Sequence, residues 1–277
     1  STNAESARTN LISKGWTISG DIASGTSCNF DFVTTWQLPV GVTELTISPE
    51  RVGGDVAYTW EQIPAGASGS GSFAVGTGDV TISGLPDGGN FRLSLEPTNL
   101  KRFTIPTAPN NLALESIENW GTAQWTSMEE AFYVCENMII TATDIPDLSG
   151  VTSMLRMFAN CSSMDVIPNA HLWNTINVTN MNGMFSRAFS FNQDISAWNT
   201  SNVTDMRLMF RYTTVFNQDI GSWNTSNVTD MSGMFGYAIN FNQNLNTWIT
   251  SNVTDLNIMF FEATAFNQDI SNWNTSN

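Results

Sequence analysis

The sequence predicts a mainly β protein with short helices, in which a β-sandwich-like domain is followed by a solenoid of about six coils. Three observations predict this fold class. A 25-residue unit repeats without insertion from 176 to 275, weaker copies precede it, and short β-rich runs fill the first third of the chain. We therefore divide the chain into a β-sandwich-like N-terminal domain with a Ser/Thr/Gly-rich leader, residues 1–107, and the solenoid, residues 108–277.

The four regular copies are consecutive and in phase, which is typical of proteins built from stacked repeats. Their sequences are INVTNMNGMFSRAFSFNQDISAWNT, SNVTDMRLMFRYTTVFNQDIGSWNT, SNVTDMSGMFGYAINFNQNLNTWIT and SNVTDLNIMFFEATAFNQDISNWNT. Burying the recurring apolar side chains of one copy yields roughly 1.5–3 kcal/mol each. Ordering its backbone costs about 1–2 kcal/mol per residue. A single copy therefore cannot fold alone, and stacking is required.

Each copy contains two apolar segments of different period. Asn180, Asp205, Asp230 and Asp255, all good N-cap residues, precede a Met/Leu-x-x-Met-Phe step at helical spacing. In the following Phe-Asn-Gln-Asp-Ile segment or its variant, the apolar pair lies four residues apart, as in a short or bulged strand. We predict one short helix or helical turn, one short strand and a polar Asn-Thr-Ser-Asn corner per coil, which is the cross-section of a leucine-rich-repeat-like solenoid.

Short strands are predicted ahead of the repeats, where the pattern becomes strand-like from Phe30. Turns rich in Gly and Pro separate these runs at spacings of roughly 8–12 residues, which is typical of a β-sandwich. The bounded runs are 44–48, 55–63, 70–75, 79–85 and 90–95. Pro106 and Pro109 mark the boundary with the repeats.

Degenerate copies of the repeat occupy residues 112–175. Ser127 and Ser153 hold the position of the N-cap, and the six equivalent positions up to Asp255 are separated by 26, 27, 25, 25 and 25 residues. Terminal repeats of a solenoid are usually atypical because they contact something other than another repeat. We expect the first degenerate copy to contact the β-domain.

Two phrases, SIENWGTAQWTSMEEAFYVCENM and FNQDISAWNTSNVTDMRLMF, resemble the repeats of the BspA-like leucine-rich-repeat family of bacterial surface proteins over residues 112–277. The segment DFVTTWQLPVGVTELTI resembles the PKD-like β-domain often found ahead of such arrays, although 60–63, Trp-Glu-Gln-Ile, replaces the expected Trp-Gly-Asp-Gly turn. The resemblance implies a secreted or cell-surface bacterial protein used in adhesion and recognition. It implies no catalysis and specifies no ligand.

Charge and hydropathy restrict the partners. The net charge of −15 argues against nucleic acid and anionic membranes. No 18-residue apolar run is present, so no membrane insertion is expected. Because the sequence begins at Ser1 and stops just after a full repeat, we interpret it as an excerpt of a longer protein. The last coil lacks a following neighbour, so we expect it to fray or to self-associate end to end at the C-terminus.

Two ranks of acidic residues could bind calcium or serve the fold. Asp205, Asp230 and Asp255 would stack about 4.8 Å apart, with a repulsion of about 0.9 kcal/mol per pair in water. We favour capping here, because serine or asparagine holds the same position in other copies. The second rank consists of Asp194, Asp219 and Asp269, and Asn244 holds the equivalent position in the third copy. Because asparagine can replace aspartate there, an ion is disfavoured in this rank too. No cofactor is predicted, and calcium is retained as the alternative.

The remaining polar side chains favour structural roles. Asn192 and its equivalents in the next three copies are expected to form a buried asparagine ladder that satisfies backbone groups. Cys135 and Cys161 hold equivalent positions, which is compatible with a disulfide or, as we favour, with two free thiols. Cys28 has no evident partner, and the lone His171 lies in an irregular stretch without a catalytic motif. We therefore expect no enzyme.

The function predicted is a non-catalytic, ligand-binding segment of a bacterial cell-surface adhesin, with an extracellular peptide, protein or glycan as its target. The predicted binding face consists of Gln193, Asp194, Ser196, Gln218, Asp219, Gln243, Asn244, Gln268 and Asp269. One alternative is a rigid structural spacer that displays other domains. A third hypothesis is ice or surface-lattice binding through the threonine rank Thr179, Thr204, Thr229 and Thr254.

Overall fold

The computed structural model describes residues 30–106 and 109–276, so the leader and Cys28 lie outside the described residues. Strands in this part form two open sheets, with the orders β4-β3-β6-β1-β8-β9 and β5-β2-β7. All pairings are antiparallel except that of β8 with β9. The strands are β1 (Phe32–Gln37), β2 (Glu44–Arg51), β3 (Val56–Ile63), β4 (Ser68–Phe73), β5 (Val80–Ser83), β6 (Asn90–Leu95), β7 (Leu100–Thr104), β8 (Leu114–Asn119) and β9 (Ile139–Ile140).

The mainly β prediction is confirmed, and so are the five bounded strands, with small shifts of their ends. The strand alternation explains them, since β2 buries every second residue from Leu45 to Arg51. The two sheets share one apolar core, in which Phe32 of β1 meets Phe103 of β7 with ring centroids 5.0 Å apart. Helices are few in the described residues: α1 (Asn110–Ala113) and a 3-10 helix (Ala170–Leu172). None of them has the length and apolar character needed to cross a membrane.

The sheet continues directly into the first degenerate repeat. Strand β8 pairs with β1 on one side and with β9 on the other, and Trp120 immediately after it is fully buried. Asp144 fixes the chain here, because its two carboxylate oxygens accept the N–H groups of Trp120 and Gly121 at 3.0 and 2.8 Å. The first degenerate repeat therefore contacts the β-sheet, as expected. The predicted boundary at 107/108 stays a prediction.

The predicted helical turn of each repeat is not a helix in the structure. The segment from Asn180 to Ala188, and its equivalents 25 residues later, is a series of hydrogen-bonded turns; we call these the turn segments. Within one segment, the N–H of Met184 donates to the carbonyl of Met181 three residues back, at 3.2 Å. Gly183 and Arg187 adopt left-handed φ angles of 61°. Because these left-handed residues are only four positions apart, a right-handed helix cannot propagate through the segment.

The hydrogen bonds that a helix would use run to the next repeat instead. The N–H groups of Met181, Gly183 and Phe185 donate to carbonyls 24 residues ahead, at 3.0, 2.7 and 3.0 Å. Single parallel bridges connect the equivalent positions of successive copies: Ser153, Asn180, Asp205, Asp230 and Asp255. Much of the backbone of each repeat is thus satisfied by its neighbours, which is why the local helical spacing was misleading.

The predicted strand in the second segment is also absent, although its apolar pair faces inward as expected. Phe191 and Ile195 are fully buried, whereas Asn192 and Asp194 between them are exposed. Their aromatic neighbours form columns through the stack. Phe185, Phe210 and Phe235 stack with centroids 5.8 and 5.7 Å apart. These columns supply the continuous core that a single copy lacks.

The in-phase tryptophans belong to this core. Trp223 is 3% exposed, and its Nε1 donates to the carbonyl oxygen of Ile195 in the preceding repeat at 3.3 Å. We predict that Trp223→Ala lowers the free energy of unfolding by roughly 3–5 kcal/mol, as for other large buried aromatic residues. The exposed Asp219→Ala should cost less than about 1 kcal/mol. Denaturant titration of both variants measures the difference, and equal losses would show that the inward and outward faces are confused.

Left-handed positions give a second test. Gly183→Ala should destabilise the protein by about 1 kcal/mol, because an L-residue at that φ is strained. Glu262 is exposed and has a φ of 56°, so Glu262→Gly should raise the melting temperature for the opposite reason. Differential scanning calorimetry compares the two. The two substitutions should change the melting temperature in opposite directions. If Gly183→Ala raised it, the argument from left-handed strain would be wrong.

Asp31 makes stability depend on pH at the start of β1. Burial and, secondarily, the charge of Glu96 raise the pKa of Asp31 to about 6. An acid with a raised folded-state pKa favours folding while it is protonated, and this contribution is lost as pH rises from about 4 through about 6. We predict that Asp31→Asn melts higher than the parent near pH 7.5. Melting curves below about pH 4 should coincide, and a difference that persists there would exclude the carboxylate charge as its cause.

Candidate functional site

The structure brings the predicted binding residues together on one surface, which we call the glutamine–aspartate face: Gln193, Asp194, Ser196, Gln218, Asp219, Gln243, Asn244, Gln268 and Asp269. Inward packing of Phe191 and Ile195, and of their equivalents, turns the residues between them outward. Neighbouring copies are kept in register by a hydrogen bond from the N–H of Asn217 to Oδ1 of Asn192, at 2.9 Å. The face is therefore a regular polar surface.

The glutamines of this face are half-buried and take part in the stacking. Nε2 of Gln218 donates to the backbone oxygen of Asn192 at 2.9 Å, and that of Gln243 donates to Asn217 at 2.8 Å. Nε2 of Gln268 donates to Oδ1 of Asn242 at 2.9 Å. The amide nitrogens are thus directed along the array, so the exposed aspartates are the members best placed to meet a ligand.

Each exposed aspartate closes a local turn. Oδ1 of Asp194 accepts the N–H of Ser196 at 2.9 Å, and Asp269 does the same with Ser271. These backbone hydrogen bonds lower the pKa of both aspartates, so both are charged at neutral pH. Asn244 makes the equivalent bond at 2.9 Å without a charge. The fold therefore needs only the oxygen, and the negative charge is not required by the turn.

The other aspartate rank serves the turn segments: the side-chain oxygen bonds a backbone N–H as the capping interpretation predicted, but it closes a turn and does not cap a helix. Oδ1 of Asp205 accepts the N–H of Arg207 at 3.0 Å, and the serine and asparagine at the equivalent positions make the same bond. Arg207 also lies between two aspartates, with ion-pair distances of 2.7 Å to Asp205 and 3.5 Å to Asp230. Within the described ranges, no group of three or more His, Cys, Asp and Glu side chains is arranged to hold a metal ion.

The asparagine ladder is confirmed as a hydrogen-bonded ladder, but its burial was predicted wrongly. Asn192, Asn217 and Asn267 are exposed, because their partners are neighbouring backbone groups at the surface of the array. The thiols of Cys135 and Cys161 are free and buried, and burial raises the pKa of both. Such protonated thiols are poor nucleophiles.

The threonine rank is exposed but internally bonded. The hydroxyl of Thr204 donates to the carbonyl of Thr179 at 3.2 Å, and Thr229 bonds Thr204 in the same way at 3.1 Å. His171 is exposed at the 3-10 helix. The threonine hydroxyls therefore link neighbouring copies, and His171 lies on the surface.

One cluster was not predicted from the sequence. Arg187, Arg211, Tyr212, Tyr237 and Phe261 lie together on the turn segments, and we call this set the arginine–tyrosine strip. The rings of Tyr212 and Tyr237 stack with centroids 4.3 Å apart. The 25-residue spacing of Tyr212 and Tyr237 was the available signal, but the residue type at this position varies between copies.

A family model described as "Mycoplasma protein of unknown function, DUF285" matches residues 105–213 and 190–277 of the chain. The matched part begins immediately after β7 and includes β8, β9 and the repeats of both kinds. No curated protein and no solved structure matches the chain.

Proposed function

Because the chain belongs to the DUF285 family, we propose that it is a non-catalytic, ligand-binding segment of a bacterial cell-surface adhesin. BspA-like repeat proteins contain DUF285, so the family match agrees with the resemblance of the repeats. We further propose that the stacked repeats are a leucine-rich-repeat-like solenoid and that the N-terminal sheets are a PKD-like domain. Secretion or display at the cell surface belongs to the same proposal.

The observation that supports ligand binding is the charge of the glutamine–aspartate face. Asn244 makes the same turn bond without a charge. Nevertheless, three of the four equivalent positions on this face hold aspartate. A charge that the turn does not need is available to a ligand. Adjacent copies repeat it in register, which suits an extended peptide, protein or glycan.

The exchange of Asp for Asn within the repeats provides a test that spares the fold. The triple variant Asp194→Asn, Asp219→Asn and Asp269→Asn should keep the turn bonds and remove three charges. We predict that it weakens binding to any non-anionic partner found on glycan, peptide and extracellular-protein arrays by at least roughly tenfold, as expected for lost charge-assisted contacts. Biolayer interferometry on the array hits measures the change.

A charge-matched control is available in the other rank. Asp205→Asn, Asp230→Asn and Asp255→Asn also removes three charges, and Asn180 shows that asparagine makes the same turn bond. This control should leave affinity within about twofold. Equal losses in both triples would indicate a general field effect and contradict a site on the glutamine–aspartate face.

The rigid spacer is the second candidate, and the continuous hydrogen bonding between copies favours it. A spacer should bind no ligand on any of the arrays, and it should scatter as a stiff, extended particle in small-angle X-ray scattering. Ice or surface-lattice binding through the threonine rank is the third hypothesis. Thermal hysteresis of the parent and of Thr204→Val tests it, and equal, negligible values for both would exclude it.

A further inference from the structure

The arginine–tyrosine strip has unusual electrostatics for an acidic protein. The guanidinium carbons of Arg187 and Arg211 lie 4.7 and 5.2 Å from the ring centroid of Tyr212. In the described part of the chain, neither guanidinium has an ion pair or a side-chain hydrogen bond. Two permanent positive charges are therefore held beside one ring without a counter-ion from the protein.

The other described arginines are occupied. Arg92, Arg156 and Arg207 form ion pairs with carboxylates. Arg51 and Arg102 donate to backbone carbonyls. In a chain of net charge −15, where acceptors are abundant, the two unpaired guanidinium groups are the exceptions. Their shared position on the strip points to an external anionic group.

The strip is also pre-organised. Tyr212 has the cation of Arg187 near its ring and Tyr237 stacked upon it, and Tyr237 meets Phe261 edge to face at 5.3 Å. The underlying backbone is fixed, since the N–H of Tyr212 donates to the carbonyl of Gly236 at 2.8 Å. Nε of Arg211 is buried without a hydrogen-bond partner. Side chains restrained in this way lose little entropy on binding.

The surroundings define the class of ligand. A peptide added as a strand would need free backbone groups, but the N–H groups of Arg187, Tyr212 and Tyr237 already donate to the next repeat. A polyanion would be repelled by the negative field of the whole protein. A single carboxylate is repelled less, because the repulsion scales with the charge of the ligand. Tyrosine and phenylalanine add apolar edges and hydroxyl groups, which suit the carbons and hydroxyls of a sugar ring.

We propose that the arginine–tyrosine strip binds a glycan that ends in a carboxylated sugar. Arg187 and Arg211 pair with the carboxylate, for which guanidinium geometry is well matched. Tyr212 and Tyr237 contact the ring and its hydroxyl groups, and Phe261 bounds the apolar end. This site is separate from the glutamine–aspartate face and does not depend on it.

The test compares 3′-sialyllactose with lactose, which lacks the carboxylated sugar, by isothermal titration calorimetry on the full chain. The parent should bind sialyllactose measurably more tightly than lactose. The double variant Arg187→Gln, Arg211→Ser should weaken sialyllactose binding by roughly tenfold or more, since charged hydrogen bonds are lost. Ser186 holds the position equivalent to Arg211, so serine is compatible with the fold there.

Arg156→Gln is the matched control, because Arg156 also lies over a tyrosine, at 6.0 Å from the ring centroid of Tyr133, but is paired with Glu130. It should leave sialyllactose affinity unchanged, as should the triple aspartate variant of the glutamine–aspartate face. Melting curves of all variants verify folding. The proposal is overturned if sialyllactose binds no better than lactose, if Arg156→Gln weakens binding equally, or if sodium acetate or a Glu-Glu dipeptide competes as well as the sugar.

Discussion

Each repeat obtains much of its backbone hydrogen bonding from its neighbours. Alternate N–H groups of a turn segment, such as those of Met206, Leu208 and Phe210, donate to carbonyls of the next copy at 2.9–3.0 Å. Burying these groups unpaired would cost more than the bonds themselves yield. Register between copies is therefore fixed by the backbone, and every side-chain column inherits the 25-residue period.

The aromatic columns, which follow from this register, stabilise the stack of repeats. Phe216 stacks on Phe191 and on Phe241, with centroids 6.0 and 5.9 Å apart. The indole N–H groups of Trp223 and Trp248 donate to carbonyls of the preceding copy. Non-polar area alone would allow neighbours to slide. The indole hydrogen bonds and the asparagine ladder penalise such a slip, because each shift leaves several polar groups unsatisfied.

The same register determines which surface positions can vary. The positions of the asparagine ladder, which bond neighbouring copies, hold the same residue in every regular copy, whereas exposed positions of the turn segments differ between copies. At one such position the chain places Arg187, Tyr212, Tyr237 and Glu262 in succession, all with left-handed φ angles between 56° and 61°. Left-handed backbone at non-glycine residues costs of order 1–3 kcal/mol. The hydrogen bonds to the next repeat hold it in place, so side chains can vary there without altering the scaffold.

The repeat, its phase, the inward apolar residues and five of the N-terminal strands were predictable from the sequence, because periodicity and alternation report which side of the chain is buried. The sequence also identified the capping oxygens, since Ser, Asn and Asp share only that ability at one position. The backbone conformation of the turn segments, in contrast, depends on contacts between copies. Methionine and phenylalanine at helical spacing are compatible with a helix or with turns, and the choice rests on carbonyls supplied 24 residues away. The arginine–tyrosine strip was not predicted for a related reason: its contacts join different copies, and the residue type at these positions changes from copy to copy.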